Sequence, residues 1–237
     1  MVNTRYFAFG KKETEFLTSK DSALGEVMEK IGPIGREIIP DMFMALANSI
    51  IGQQISAKAH MTIWQRFQDM FSPVTPEHIL SLSAETIQTC GISFKKAFYI
   101  KEIATEIVNK NLDLEKLRTM SDEDVCTRLS QLKGIGTWTA EMLMIFSMQR
   151  QDVLSWDDLG IQRGLRMLHR HRKIMRDLFV KYKKRYSPYA TVASLYLWEI
   201  AAGRCEGLVD LAPKKNTKKK AGAEKKPKRP ASTANKK

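Results

Sequence analysis

The chain has 237 residues, 43% of them hydrophobic, with 39 Lys+Arg against 26 Asp+Glu and a formal net charge of +13. That is enough apolar material for one packed domain or two small lobes sharing a core, and it excludes a disordered chain. The charge is uneven: residues 214–237 hold eleven basic residues and one acid, so this tail carries +10 and residues 1–213 only +3.

Taken in chain order, the sequence reads as helix nearly throughout. Over 41–52, Met42, Leu46 and Ile50 with Phe43, Ala47 and Ile51 make a wide apolar stripe, opened by Pro40 and Asp41 and closed by Gly52. A second helix is predicted over 56–71, with Ile63, Trp64 and Phe67 inward and Pro73 as its stop. Ala97, Ile100, Ile103, Ala104 and Ile107 define a third over 94–109. Ser121, followed by three acids, is read as the N-cap of a helix running to Leu132. Further helices are expected over 137–148, 157–169, 172–185 (strongly basic) and 189–202. No stretch alternates with period two for long enough to form a sheet, so the fold class is all-α. Residues 213–237 are rich in Lys, Pro and Ala, too poor in large apolar residues to offset ordering entropy, and are expected to be a disordered tail.

Cys90, Cys126 and Cys205 form no C-x-x-C pair, and their odd number argues against a disulfide framework or a zinc site and for a reducing compartment. The N-terminus lacks the apolar stretch of a signal peptide. The longest apolar run, near 142–148, falls far short of the roughly 20 residues of a membrane span, so neither secretion nor membrane insertion is expected.

The chemistry-bearing stretch is Leu132-Lys-Gly-Ile-Gly-Thr-Trp-Thr-Ala-Glu. Gly134 and Gly136 make a tight turn between two helices, allowing positive φ and close backbone approach. The amides of Gly136, Thr137 and Trp138 then face outward at a positive helix end, a site for one phosphate. Some twenty residues on comes Ser155-Trp-Asp-Asp, where one Asp serves as a helix N-cap and the second is left for another role.

The hairpin followed at this spacing by Asp157-Asp158 resembles the helix–hairpin–helix (HhH-GPD) DNA glycosylases, and most closely their DNA-3-methyladenine glycosylase II (AlkA-like) branch. Ser49-Ile-Ile-Gly-Gln-Gln-Ile-Ser and Ser187-Pro-Tyr-Ala-Thr-Val-Ala-Ser-Leu-Tyr-Leu-Trp are similar to two further segments of that family, so the likeness runs from about residue 41 to 203. The resemblance implies two helical lobes within 1–212, the active-site cleft between them. It leaves residues 1–40 no room for the N-terminal β-domain of larger relatives, only for packing against the lobes.

The resemblance also implies site residues. Asp158 matches the catalytic aspartate, with Asp157 left as its capping or orienting partner. Trp138 stands where members with strand-cleaving activity carry a lysine, which implies a monofunctional enzyme; Lys133 does not match that position. Trp198 matches the tryptophan that stacks on the flipped base, and Trp138, Met142 and Trp156 stand at further pocket positions. Gln53 and Gln54 match the wedge that fills the gap left by that base, and Gly134, Gly136 and Thr137 the phosphate-binding hairpin. The carbonyls of Ser130, Leu132 and Ile135 match a structural Na+ or K+ site; no cofactor is needed for the chemistry, and the cysteines give no iron–sulfur cluster. The implied function is excision of alkylated purines (3-methyladenine, 7-methylguanine, with ethenoadenine or hypoxanthine) from damaged double-stranded DNA by a monomer inside the cell, in bacterial cytoplasm or a nucleus. A uracil or mismatch glycosylase of the same superfamily, or a non-catalytic helix–hairpin–helix DNA-binding module, stays open as an alternative. The lysine tail reads as a DNA tether, a solubilising tail or a nuclear address.

Overall fold

Side-chain caps set most helix starts. The computed structural model describes residues 6–213 and places thirteen helices there. They are α1 (Lys11–Lys20), α2 (Ser22–Ile31), α3 (Met42–Gly52), α4 (Ala57–Met70), α5 (Pro76–Ser81), α6 (Ala84–Gln88) and α7 (Phe94–Val108). After these come α8 (Leu114–Thr119), α9 (Asp122–Ser130), α10 (Thr137–Phe146), α11 (Leu159–His169), α12 (Arg176–Tyr186) and α13 (Ala190–Ala201). Asp21, Asp41, Ser56, Thr75, Ser83, Ser93, Asp113, Ser121 and Asp158 each accept a hydrogen bond from a backbone N–H three residues on, which satisfies an otherwise orphaned donor and fixes where a helix begins. The tail expected to be disordered lies, apart from Pro213, outside the described residues.

The all-α reading holds: among the described residues no strand forms, only an isolated antiparallel bridge between Tyr6 and Glu37. None of these helices is long and apolar enough to cross a membrane. Boundaries shift at several places: α10 stops at Phe146 rather than 148, and α11 starts at Leu159 rather than 157. The first hairpin helix stops at Ser130 rather than Leu132, and the basic helix starts at Arg176 rather than 172.

One lobe is built from the middle of the chain: α7 packs on α3, α5 and α6, α3 on α4, and α10 joins it through α3 and α9. The other lobe pairs α11 with α13, and α12 with α13. Residues 1–40, expected simply to lie against the lobes, contribute α1 and α2 to the second one, where they touch α11, α12 and α13. Asp21 ties them in. It caps α2 and takes a bond from Tyr186 Oη (2.8 Å), with Arg185 Nη1 and His169 Nε2 each at 3.2 Å. The buried core runs through both lobes, from Leu46, Ile50 and Phe67 in the first to Leu165, Leu197 and Ile200 in the second.

Candidate active site

Asp158 sits at the start of α11, 7% exposed, on the wall of a cavity of about 610 Å3 between the lobes. Three N–H donors converge on its carboxylate. Ile161 N (2.8 Å) and Trp198 Nε1 (2.9 Å) donate to Oδ1, and Trp138 Nε1 (2.8 Å) donates to Oδ2. The residue that matches the family's catalytic aspartate is thus also the N-cap of α11. Asp157, expected to be the capping or orienting partner, is exposed, and the cap of α11 is Asp158 instead.

The loop that carries Asp158 is pinned from both sides. Thr191 Oγ1 on α13 accepts from Val153 N (2.9 Å), and Ser194 Oγ donates to Val153 O (3.0 Å). On the α10 side, Ser155 Oγ donates to Glu141, whose carboxyl burial pushes above its ordinary pKa. Gly160 completes the fit: a Cβ there would lie 2.8 Å from Trp198 Cδ1 and 3.1 Å from Asp158 Oδ1. Only a residue without a side chain lets the indole reach the carboxylate.

Trp138, Met142 and Trp198 line the cavity with Asp158, and Trp138 is 44% exposed. Trp198 stacks on Phe146 (5.7 Å between ring centroids, 27° between planes), which fixes the plane of its indole. Trp156, assigned to the pocket from sequence, is absent from that lining. Its ring packs edge-on against Phe179 and lies 4.9 Å from the Arg176 guanidinium, because the turn before α11 directs it toward α12. Sequence reasoning missed Arg36, Asn48 and His60, which also line the cavity. His60 Nε2 contacts both Asn48 Oδ1 (2.7 Å) and Asn48 O (3.2 Å), two acceptors, so this nitrogen carries the proton. The apolar-spaced helix over 42–52 gave no sign that its polar Asn48 would face a cavity.

At the mouth, Gln53 Nε2 donates to Gly134 O (2.7 Å), which ties the Gln-Gln turn to the hairpin. Lys96 Nζ caps the end of α3 through Ile51 O (2.9 Å) and Gln53 O (2.7 Å). Gln54 is exposed on the cavity rim and held at φ +57°, a left-handed conformation that costs a non-glycine residue free energy. In the hairpin only Gly134 has positive φ (+85°), with Tyr99 packed where a Cβ would be. Gly136, expected to need the same freedom, has φ −98° and is the N-cap of α10. It carries no side-chain cap, and a Cβ there would meet open space, so the first amides of α10 face outward.

A family model, the HhH-GPD superfamily base excision DNA repair protein, matches residues 47–185, from α3 through the hairpin and Asp158 into α12. The chain belongs to the HhH-GPD superfamily. Among curated relatives, it is 38% identical over 159 residues to DNA-3-methyladenine glycosylase 1 of Schizosaccharomyces pombe, covering 65% of this chain and 70% of that protein. It is 28% identical over 208 residues to the DNA-3-methyladenine glycosylase of Saccharomyces cerevisiae, covering 72% and 70%. Its backbone is similar to the crystal structure of a DNA-3-methyladenine glycosidase from Bacillus halodurans (TM-score 0.76, 34% identity, 88% of this chain and 97% of that one). It is also similar to the Schizosaccharomyces pombe 3-methyladenine DNA glycosylase in complex with abasic DNA (TM-score 0.72, 31% identity, 81% and 97%). Within this superfamily fold the glutamine turn, Trp138 at the start of α10 and Asp158 line one cavity, and the hairpin is tied to it through Gln53 and Gly134 O, while Lys133 lies outside it, paired with Glu102 Oε1 at 2.5 Å and set over Phe98.

Proposed function

We propose that the protein is a monofunctional DNA glycosylase that excises alkylated purines, such as 3-methyladenine and 7-methylguanine, from double-stranded DNA as a monomer and leaves an abasic site. One observation carries the reading: a carboxylate held by three fixed N–H donors on the wall of a cavity of about 610 Å3. As the C1′–N bond of a flipped nucleotide breaks, positive charge develops on the sugar. The Asp158 carboxylate stabilises that charge and accepts a proton from the water whose oxygen forms the new C1′–O bond. The base leaves with the bonding pair, and an alkylated purine is already electron-poor enough to do so readily.

The indole of Trp198 offers a stacking face for such a base. Gln54, held on the rim in its strained turn, fills the gap the base leaves in the duplex, and the outward amides of Gly136, Thr137 and Trp138 take a backbone phosphate. A strand-cleaving mechanism needs an amine to form a Schiff base. Trp138 offers none, and Lys133, held by Glu102, faces elsewhere. A monovalent cation at the hairpin would be held by the Ser130, Leu132 and Ile135 carbonyls. Leu132 O already accepts from Ile135 N (3.1 Å) and keeps one lone pair, and neutral carbonyl oxygens suit Na+ or K+.

Duplexes bearing single lesions test the proposal. Base release without strand cleavage until alkali is added is the expected result. Nicking without alkali would overturn the monofunctional assignment, and release of no base from any duplex would leave a DNA-binding module.

A further inference from the structure

Successive side chains of the loop before α11 are taken by different helices. Ser155 donates to Glu141 on α10, Trp156 packs against Phe179 and the Arg176 guanidinium of α12, and Asp158 accepts from Trp138 on α10 and Trp198 on α13. Glu141 lies one turn along α10 from Trp138, so this helix meets the loop at two points, Ser155 and Asp158. Trp138, Met142 and Phe146 of α10 line the cavity, whereas Glu141 does not. Ser155 is 0% exposed, so its hydroxyl has no water to turn to if Glu141 is lost. A carboxyl is a costly group to place there. Burial and the Asp157 carboxylate push its pKa up, and the Ser155 bond with the Lys183 and Arg176 charges offsets only part of that. An apolar residue would serve packing alone as well; it could not give a buried hydroxyl its acceptor.

We infer that Glu141 is a positioning residue for base release: through Ser155 it ties the loop to α10 and so sets where the Asp158 carboxylate stands, while touching neither DNA nor base. The Thr191 and Ser194 bonds at Val153 anchor the same loop to α13. Without Glu141 the α10 side depends on the Trp138 bond alone, and the carboxylate is free to follow α13 and Trp198 away from α10. Catalysis is steep in such a displacement, since about 1 Å costs about 100-fold in rate. DNA affinity is not, because the hairpin amides and the Gln-Gln turn that meet the duplex lie on other segments. The inference rests on the glycosylase reading and adds to it a residue outside the cavity.

The test measures single-turnover release of 3-methyladenine at saturating protein, beside affinity for an abasic-site duplex, in the full chain carrying Glu141→Ala, Ser155→Ala, both together, or Glu141→Gln. Each alanine variant should lose about tenfold in rate with affinity kept. The double variant should be no slower than the slower single one, because the same bond is cut in all three. Glu141→Gln, whose amide oxygen still accepts from Ser155, should recover most of the rate. Should Glu141→Ala fail to fold, Ser155→Ala and Glu141→Gln decide by the same criteria. An unmodified rate in the alanine variants, losses that multiply in the double one, a glutamine variant as slow as the alanine one, or affinity lost in step with rate would overturn the role of Glu141 and leave the glycosylase reading intact. Release of no base by the unmodified protein from any lesion duplex would overturn both.

Discussion

Trp198 donates its indole N–H to Asp158 Oδ1 across 40 residues of sequence, at 2.9 Å, with its ring plane set by Phe146. Trp138 does the same to Oδ2, so two helices from different parts of the chain aim one carboxylate. An arrangement of this kind fixes the negative charge before the reaction begins, which is the condition for electrostatic stabilisation of a cationic sugar.

Removing one indole donor tests that condition. Trp198→Phe keeps an aromatic face for stacking but leaves Oδ1 with only the Ile161 N–H. We expect base release to slow by about tenfold or more, with affinity for an abasic-site duplex little changed. Single-turnover kinetics beside a binding titration check it. An unchanged rate would show that the indole contributes nothing to the carboxylate.

Gly160→Ala approaches the same contact from the other side. The added Cβ would lie 2.8 Å from Trp198 Cδ1, and the indole, backed by Phe146, must move away from Asp158. Alanine is the better helix former, so the melting temperature should hold while the rate falls at least tenfold. A parallel loss of both would mean that the substitution damages the fold rather than the site.

Gln54→Gly separates strain from function. At φ +57° glycine relieves about 1 kcal/mol, which should raise the melting temperature by a few degrees. The same change removes the side chain proposed to enter the duplex, so excision should slow. A variant that is both more stable and equally active would remove Gln54 from the wedge role.

Acid stability reports the tether of α1 and α2. Burial works to raise the pKa of Asp21, but bonds from His169 and Tyr186, attraction to His169 and the Leu24 N–H outweigh it and hold that pKa below the ordinary carboxylate range. A depressed native pKa gives stability that is fully present above the unfolded value of about 3.9 and lost as pH falls through the native one. Asp21→Asn should therefore melt lower at neutral pH and lose less on acidification. Melting temperatures that fall in parallel down to about pH 2 would contradict this.

The sequence was most informative where function constrains residue type locally. The hairpin glycines, the Asp pair and the Gln-Gln turn each announce a short-range geometry; Gln53, Gln54 and Asp158 line one cavity, and Gly134 is tied to it through Gln53. It was least informative where the outcome depends on which way a turn points. Nothing in Trp156-Asp157-Asp158 says that the tryptophan goes to α12 or that the second Asp is both cap and cavity wall. The helix over 11–20 went unread because α1 carries one buried apolar residue, Leu17, too few for a visible stripe; α2, with Leu24, Val27 and Met28 at helical spacing, was legible but unread. Arg36 and Asn48 acquire their setting only from long-range packing, which residue spacing does not encode.

Asp158→Asn is the most direct test. The amide retains one oxygen for Ile161 N and Trp198 Nε1 but turns an NH2 toward the Trp138 donor, so the site loses its charge and one bond with little change of shape. Measured as single-turnover release of 3-methyladenine from duplex DNA, the rate should drop by about 100-fold or more with DNA affinity retained. A variant that released the base at close to the unmodified rate would contradict the assignment of Asp158 and the mechanism built on it.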